Sequence, residues 1–422
     1  LGFTFGAPNI VRLASGDWAV MAGNGYDNTE PDGKTSRSGS AVLYVIDIET
    51  GGLLAAIDTR EGVDEDPRAA GRPNGLSTIA PIDVDGDYVV DYAYAGDLFG
   101  NLWKFDLRSA NPAEWRIAFD GYTSDPQPFF RARLDPADPT TAQPITTRPE
   151  VIRHPVAPGD LMVLFATGAD FEEDSAVNAA GTNSVYGLRD RGSDHDPRLT
   201  RGHLLRQSVV SEILPATGVA YRVTTDHPLP WHDGQGLPVQ PEACSGIAAS
   251  ETAAAECRRL GWHLDLPDGG EGVVNDPLVH NGRLLVPTRQ SAPGGCTSDE
   301  TWLMELDPET GGAPPRPPPD INGDGTTNDA DMPDADEGVA GEVAVTGRRV
   351  EAGGGLLPLL LARLPATGAG GPPSEGDPPA AVPTHADCLE HRYLARPDAS
   401  PAYGTVLCDR RAVGRQSWLE LR

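Results

Sequence analysis

One short pattern recurs along the chain and limits the folds open to it. An apolar strand ends near an Asp, a tight turn carrying Thr-Gly follows, and a second strand returns. Leu43–Ile48 reads as the strand, Glu49, Thr50, Gly51 and Gly52 as the turn, and Leu53–Ile57 as the return. The pattern comes back at Thr301–Asp307 with Pro308–Gly312, and is echoed at Asn101–Asp106 and Ser184–Arg189. Before each stands another apolar run: Asp17–Gly23, Asp91–Gly96, Leu161–Gly168 and Arg283–Pro287. Four-stranded units recurring radially are propeller blades. The sequence therefore predicts an all-β fold, a β-propeller of about seven irregular blades, with loop insertions and short helices. A β-sandwich, or a pair of them, is the competing architecture.

The units read as one domain over residues 1–422, interrupted near 225–260, 308–340 and 365–400. These stretches are rich in Pro, Gly, Ala or Asp, and Ser250–Leu260 fits a short helix. Arg415–Arg422 looks like a closing strand that pairs with the first blade. Gly (49) and Pro (40) together suit many strands joined by tight turns. The five cysteines form no C-x-x-C pair, which argues against a zinc ribbon or a thioredoxin motif. Their spacing suggests Cys244–Cys257 and Cys388–Cys408 as local bridges, leaving Cys296 over; five reduced cysteines is the other reading. The first residues carry neither a charged nor an apolar leader segment, so any export signal and N-terminal region are expected upstream. No stretch reaches the ~20 apolar residues that span a bilayer.

The formal net charge is -29. With no basic stripe to neutralise phosphates, nucleic acid is a poor partner. The excess of Asp and Glu fits an exported or cation-binding protein. The sharpest local signal lies at Asp83, Asp85, Asp87 and Asp91, with Gly86 between the second and third. Calcium takes six to eight oxygens at about 2.3–2.6 Å. An alternating-acid loop turns every second side chain inward, and the Val89 carbonyl would add a ligand. Tyr94 stands where an EF-hand carries its bidentate Glu, so the loop is a shortened relative, with affinity expected toward the micromolar-to-millimolar range. A second candidate loop offers Asp320, Asn322, Asp324, Thr326 (by its carbonyl), Asn328 and Asp331. Both are read as Ca2+ sites, against solvated acidic turns.

Other motifs are poorer. Gly33, Lys34 and Thr35 resemble the end of a phosphate loop, but Asn28 stands where its first Gly belongs. Asp194, His195 and Asp196 read as a solvated turn, and His263 as the outer face of a strand. No H-E-x-x-H or G-x-S-x-G string occurs, and the chain is read as no enzyme.

Several segments, in order, resemble the C-terminal domain of PilY-type type IV pilus proteins. They are Gly23–Tyr26, Leu43–Ile48, Asn74–Ser77 leading through the Asp83 loop to Tyr92–Asp106, Gly261–Leu266, Val274–Pro277, Trp302–Asp307 and Gly414–Trp418. The resemblance implies a propeller that follows a variable upstream region, often with a von Willebrand A-type domain. It implies export to the pilus tip, the cell surface or the outer membrane, with minor pilins and a host or abiotic surface as partners. Calcium in the Asp loop would tune pilus extension against retraction, through Asp83, Asp85, Asp87, Val89 and Asp91. An Arg-Gly-Asp string is missing; Arg191-Gly192-Ser193 is the nearest. Two alternatives share some of these features. A quinoprotein (PQQ) dehydrogenase propeller has similar turns, and an integrin-like repeat propeller has similar calcium loops but in most blades.

Overall fold

The computed structural model describes the chain outside residues 5, 31–32, 35, 120–125, 156, 158, 170–180, 193–198, 216–217, 230–259, 281, 291–299, 315–342, 351–358, 366–387, 396–400 and 408–422, with backbone alone at 343–344 and in the strands from 359 on. Nearly every regular element is a strand. The first sheet is an antiparallel meander of β1 (Asn9–Arg12), β2 (Trp18–Gly23), β3 (Val42–Asp47) and β4 (Leu53–Asp58). The second repeats it with β5 (Ala80–Ile82), β6 (Tyr92–Gly96), β7 (Asn101–Asp106) and β8 (Arg116–Ile117), and β9 (Phe130–Arg131) joins the start of β7. The third runs β10 (Glu150–Arg153), β11 (Leu161–Ala166), β12 (Ser184–Asp190) and β15 (Gly261–Asp265). In the fourth, β16 (Glu271–Gly272) and β17 (Leu278–His280) both pair with β18 (Arg283–Gln290), which leads to β19 (Glu300–Leu306) and β20 (Val343–Val350). A long hairpin, β13 (Leu205–Ile213) and β14 (Tyr221–Thr225), stitches the third unit to the fourth: β13 runs parallel to β15, and β14 pairs with β20. A three-stranded sheet, β21 (Leu359–Pro365), β22 (Cys388–Ala395) and β23 (Pro401–Leu407), follows.

Face-to-face packing explains why the strands read as unbroken apolar runs. Side chains alternate between the two faces of a strand. Ala93, Ala95, Trp103 and Phe105 of the second sheet pack on Val11, Met21, Leu43 and Val45 of the first. Their neighbours Tyr92, Tyr94 and Leu102 pack the other way, on Val151, Leu161, Val163 and Phe165 of the third. The third sheet repeats the arrangement, sending Met162, Leu164, Val185, Trp262 and Leu264 against Val279, Leu284, Val286, Met304 and Leu306 of the fourth. This is the stacking of propeller blades, and the expected all-β propeller class holds. Among the described residues four such four-stranded units can be followed, where the sequence suggested about seven for the whole chain. Among the described residues no helix is long and apolar enough to cross a membrane.

The Asp-x-x-Thr-Gly turns are built alike. Gly51 N donates to Asp47 O at 2.9 Å and Gly311 N to Asp307 O at 2.8 Å. Both glycines sit at φ 70°, in the left-handed region that favours glycine. A Cβ on Gly311 would stand 2.2 Å from Trp262 Cε3, so the turn lies flat on the third sheet's tryptophan, whose indole N–H donates to Pro308 O at 3.0 Å.

Polar contacts pin the blades across their seams. Lys104 of β7 reaches Asp190 of β12 at 2.6 Å, with both side chains 1% exposed, and Tyr94 donates its hydroxyl to the same carboxylate. Arg222 of β14 binds Glu271 at 2.6 Å, Asp268 at 2.9 Å and Glu212 at 2.9 Å, with its guanidinium 4.1 Å from the Trp302 ring.

Truncating one partner of a buried pair strands the other charge. Lys104→Ala should therefore cost about 3–5 kcal/mol in urea unfolding, and replacing both Lys104 and Asp190 by apolar residues should cost less than Lys104→Ala alone. Asp307 gives a second expectation. Burial, helped by Glu309 and Asp226, raises its carboxyl from 3.8 to about 6. The folded state then holds a proton that the unfolded state has released, so stability falls as pH rises through that window. Thermal unfolding of Asp307→Asn should show a flatter pH dependence between 3.8 and about 6 than the parent chain.

Candidate metal centre

The nine residues Asp83–Asp91 close the hairpin between β5 and β6. The ladder stops at Ile82 opposite Tyr92, and Asp91 N donates to Ile82 O at 2.8 Å to seal the loop's base. Within the loop the carboxylates hold the backbone. Asp83 accepts from Gly86 N at 2.5 Å and Tyr88 N at 2.7 Å, and Asp91 from Val84 N at 2.7 Å. Asp85 accepts from Asp87 N at 3.1 Å and Asp87 from Val89 N at 2.8 Å. Gly86 (φ 87°) and Tyr88 (φ 68°) both take the left-handed conformation. For Tyr88 that conformation costs energy, as for any non-glycine residue.

One oxygen each from Asp83, Asp85 and Asp91 lies within 4.8 Å of the others. Two ligands on opposite sides of a calcium ion at about 2.3–2.6 Å are about 4.6–5.2 Å apart, so the three fit one coordination sphere. Asp83 is buried, Asp91 half-buried and Asp85 exposed, which leaves the open side to water. Two like charges at ~4 Å repel by about 4 kcal/mol at an effective dielectric near 20. The Asp91 carboxyl shows the strain: burial, and then the charges of Asp85, Asp83 and Asp87, push it above the usual range. A hard divalent cation suits this set of oxygens.

The sequence placed four carboxylates and the Val89 carbonyl here. The structure gathers three; Asp87 is exposed and engaged with the Val89 amide, outside that trio. The second proposed loop, Asp320, Asn322, Asp324, Thr326, Asn328 and Asp331, lies outside the described residues, as do Asp194–Asp196 and all of the helix expected at Ser250–Leu260 except Leu260. Cys244, Cys257, Cys296 and Cys408 also fall there, and Cys388 is placed only by its backbone. His263 is a correction. It is 5% exposed, not on an outer face, because its side of β15 packs near the Tyr186 ring, 6.2 Å away. Burial and the Arg201 charge depress its pKa to about 3.

Both neighbouring blades touch the loop. Val90 N donates to Arg12 O of β1 at 2.9 Å, and Arg153 of β10 donates from Nη2 to Val84 O at 2.5 Å. At the opposite edge of the same sheet is a hub the sequence reading did not assign. Asp97, fully buried, accepts from Asn74 Nδ2 (2.9 Å), Phe99 N (2.9 Å), Asn101 N (2.8 Å), Asn101 Nδ2 (2.9 Å) and Trp103 Nε1 (2.8 Å). Burial raises its carboxyl, and these donors work against the rise.

A model of the PilY1 β-propeller domain matches residues 1–215. The chain belongs to the PilY1 β-propeller family. The type IV pilus biogenesis factor PilY1 of Pseudomonas aeruginosa strain UCBPP-PA14 is 32% identical over 346 residues, 74% of this chain and 27% of that protein. A PilY1 homologue of Xylella fastidiosa is 30% identical over 441 residues, 100% of this chain and 26% of its own length. This chain thus spans about a quarter of those relatives. The crystal structure of the P. aeruginosa PilY1 C-terminal domain superposes with a TM-score of 0.65 at 26% identity, covering 96% of this chain and 72% of that one.

Burial first, and then the neighbouring charges, disfavour the ionised Asp91 carboxyl, so removing its charge should help the ion-free loop. In chelator, Asp91→Asn should unfold at the same or a higher temperature than the parent, since the amide oxygen still accepts from Val84 N. Asp91→Ala, which strands that N–H, should lose about 1–2 kcal/mol. Equal losses in the two variants would contradict the repulsion.

Proposed function

We propose that this chain is a calcium-binding propeller portion of a type IV pilus biogenesis factor, acting by binding and not by catalysis. Its relatives bear that name, and the convergence of Asp83, Asp85 and Asp91 in one loop carries the calcium reading. The place of action would be the pilus tip or outer cell surface, with minor pilins and a host or abiotic surface as partners. Calcium would there tune pilus extension against retraction, and adhesion.

Bound calcium supplies positive charge that cancels the carboxylate repulsion. The rest falls to the chain's own residues. Asp83, Asp85 and Asp91 offer the gathered oxygens, and Asp87 and the Val89 carbonyl are within the same loop to complete the set. Arg12 O fixes the loop to the first blade and the Arg153 guanidinium fixes it to the third. Ordering the loop therefore tightens two seams, and the surface on either side of them, at once. A ligand shifts such an equilibrium only through its different affinity for the two states.

Calorimetry tests the reading. Calcium should give a saturable heat with the parent chain and none with Asp85→Ala combined with Asp91→Ala. Arg153→Ala should still bind but show a smaller calcium-dependent rise in melting temperature. Full-length protein carrying the double substitution should change surface piliation in a piliated host. Equal heats together with unchanged piliation would overturn both the site and its role.

A further inference from the structure

The chain is strongly acidic, yet two guanidinium groups stand together at the edge opposite the Asp loop. That edge carries the turn between β6 and β7, roughly 17 Å away along a five-residue strand. Arg131 ends β9, paired with Asn101 at the start of β7, and Arg133 follows two residues later in an antiparallel bridge with Ala142. Residues i and i+2 of an extended chain share a side. The backbone here is held firmly: Ala132 N donates to Gly100 O at 2.7 Å, Gln143 N to Ala132 O at 2.9 Å and Leu134 N to Thr141 O at 3.2 Å.

Arg131 reaches Glu61 Oε1 through both Nη1 and Nη2 at 3.3 Å, and Asn101 Oδ1 at 3.2 Å. Charge-assisted bonds normally run to about 2.7–2.9 Å, so this engagement is loose. Arg133 makes no side-chain hydrogen bond or ion pair among the described residues, and its Nε is buried without an acceptor. The carboxylates nearest in sequence are committed to their own turn. Asp135 accepts from Ala137 N at 2.9 Å, and Asp138 from Thr140 N at 2.9 Å and Thr140 Oγ1 at 2.7 Å. Burial and the charge on Arg131 oppose protonation of Arg133, with Glu61 and Asp138 working the other way. The buried Nε is closed to a ligand from solvent, so what Arg133 offers a partner is its Nη pair, which no described residue engages and which cannot lose its charge.

We propose that Arg131 and Arg133 form a carboxylate-binding site for an acidic segment of a protein partner. A planar fork of N–H donors matches a carboxylate's two oxygens. Two guanidinium groups are too few to neutralise the run of closely spaced phosphates that nucleic acid presents. The site is independent of the calcium loop.

Fluorescence anisotropy at low salt tests it, using a labelled Asp-Gly peptide with a free C-terminus and its amidated Asn-Gly counterpart. The acidic peptide should bind the full chain saturably and the neutral one should not. Arg133→Ala should weaken binding about ten-fold or more, while Arg133→Lys, which keeps the charge without the fork, should fall between. Asp85→Ala should bind like the parent, which separates this site from the calcium reading. Arg133→Gln serves as a second variant if the urea midpoint of Arg133→Ala shows misfolding. Absence of saturable binding at about 1 mM peptide, equal affinity in Arg133→Ala, or equal competition by inorganic phosphate would each overturn the proposal.

Discussion

Burial of both faces of the middle sheets is the constraint on which the molecule depends. A sheet with one wet face tolerates polar residues at every second position. The second and third sheets have no such face, so their strands must be apolar throughout or must pair each polar group internally. Lys104, Asp190 and Tyr94 are among the exceptions, and they meet one another across the seam between the second and third sheets. These contacts set how the blades sit on one another, a matter that apolar packing alone fixes only loosely. Buried ion pairs add little net stability against apolar replacements of similar size.

Chemistry is divided between the two edges of the second sheet. One edge carries the β5–β6 loop, whose carboxylates crowd one another and face water. The other carries the Asp97 hub, where a single carboxylate satisfies five donors in full burial. One arrangement crowds negative charges together, and the other surrounds a single one with hydrogen-bond donors that offset part of the cost of its burial. A cation has reason to visit the first and none to visit the second. Arg131 and Arg133 sit next to that second edge, where Glu61 holds Arg131 loosely and no carboxylate is bonded to Arg133 among the described residues.

Much of the architecture was legible in the chain. Leu161–Gly168, Asn101–Asp106 and Thr301–Asp307 fall on β11, β7 and β19 within a residue or two, because long apolar runs bounded by Gly and Asp admit few other readings. The Asp83 loop stands out in the chain because its carboxylates lie within nine residues of one another. His263 was misread for a physical reason. Alternation with Leu264 and Leu266 correctly separates two faces, but it says nothing of what covers the second one, which here packs near Tyr186. The Arg131–Arg133 pair was missed because Glu61, which Arg131 reaches, comes from another connection along the chain, and the Asp97 hub because the spacing of its mostly local donors at Phe99, Asn101 and Trp103 does not say that they are buried.

The stitching hairpin bears on how the polypeptide reaches this state. The third blade cannot be completed by its own local meander: β15, its fourth strand, arrives only after β13 and β14 have been made, and it then lies between β12 and β13. A parallel pairing and a distant closure raise the entropic toll of loop formation before any contact rewards it. The first two blades, each threaded in simple order, have no such delay. Assembly of the wheel should accordingly be uneven in time, with early sectors condensing first and the seam between third and fourth setting the pace.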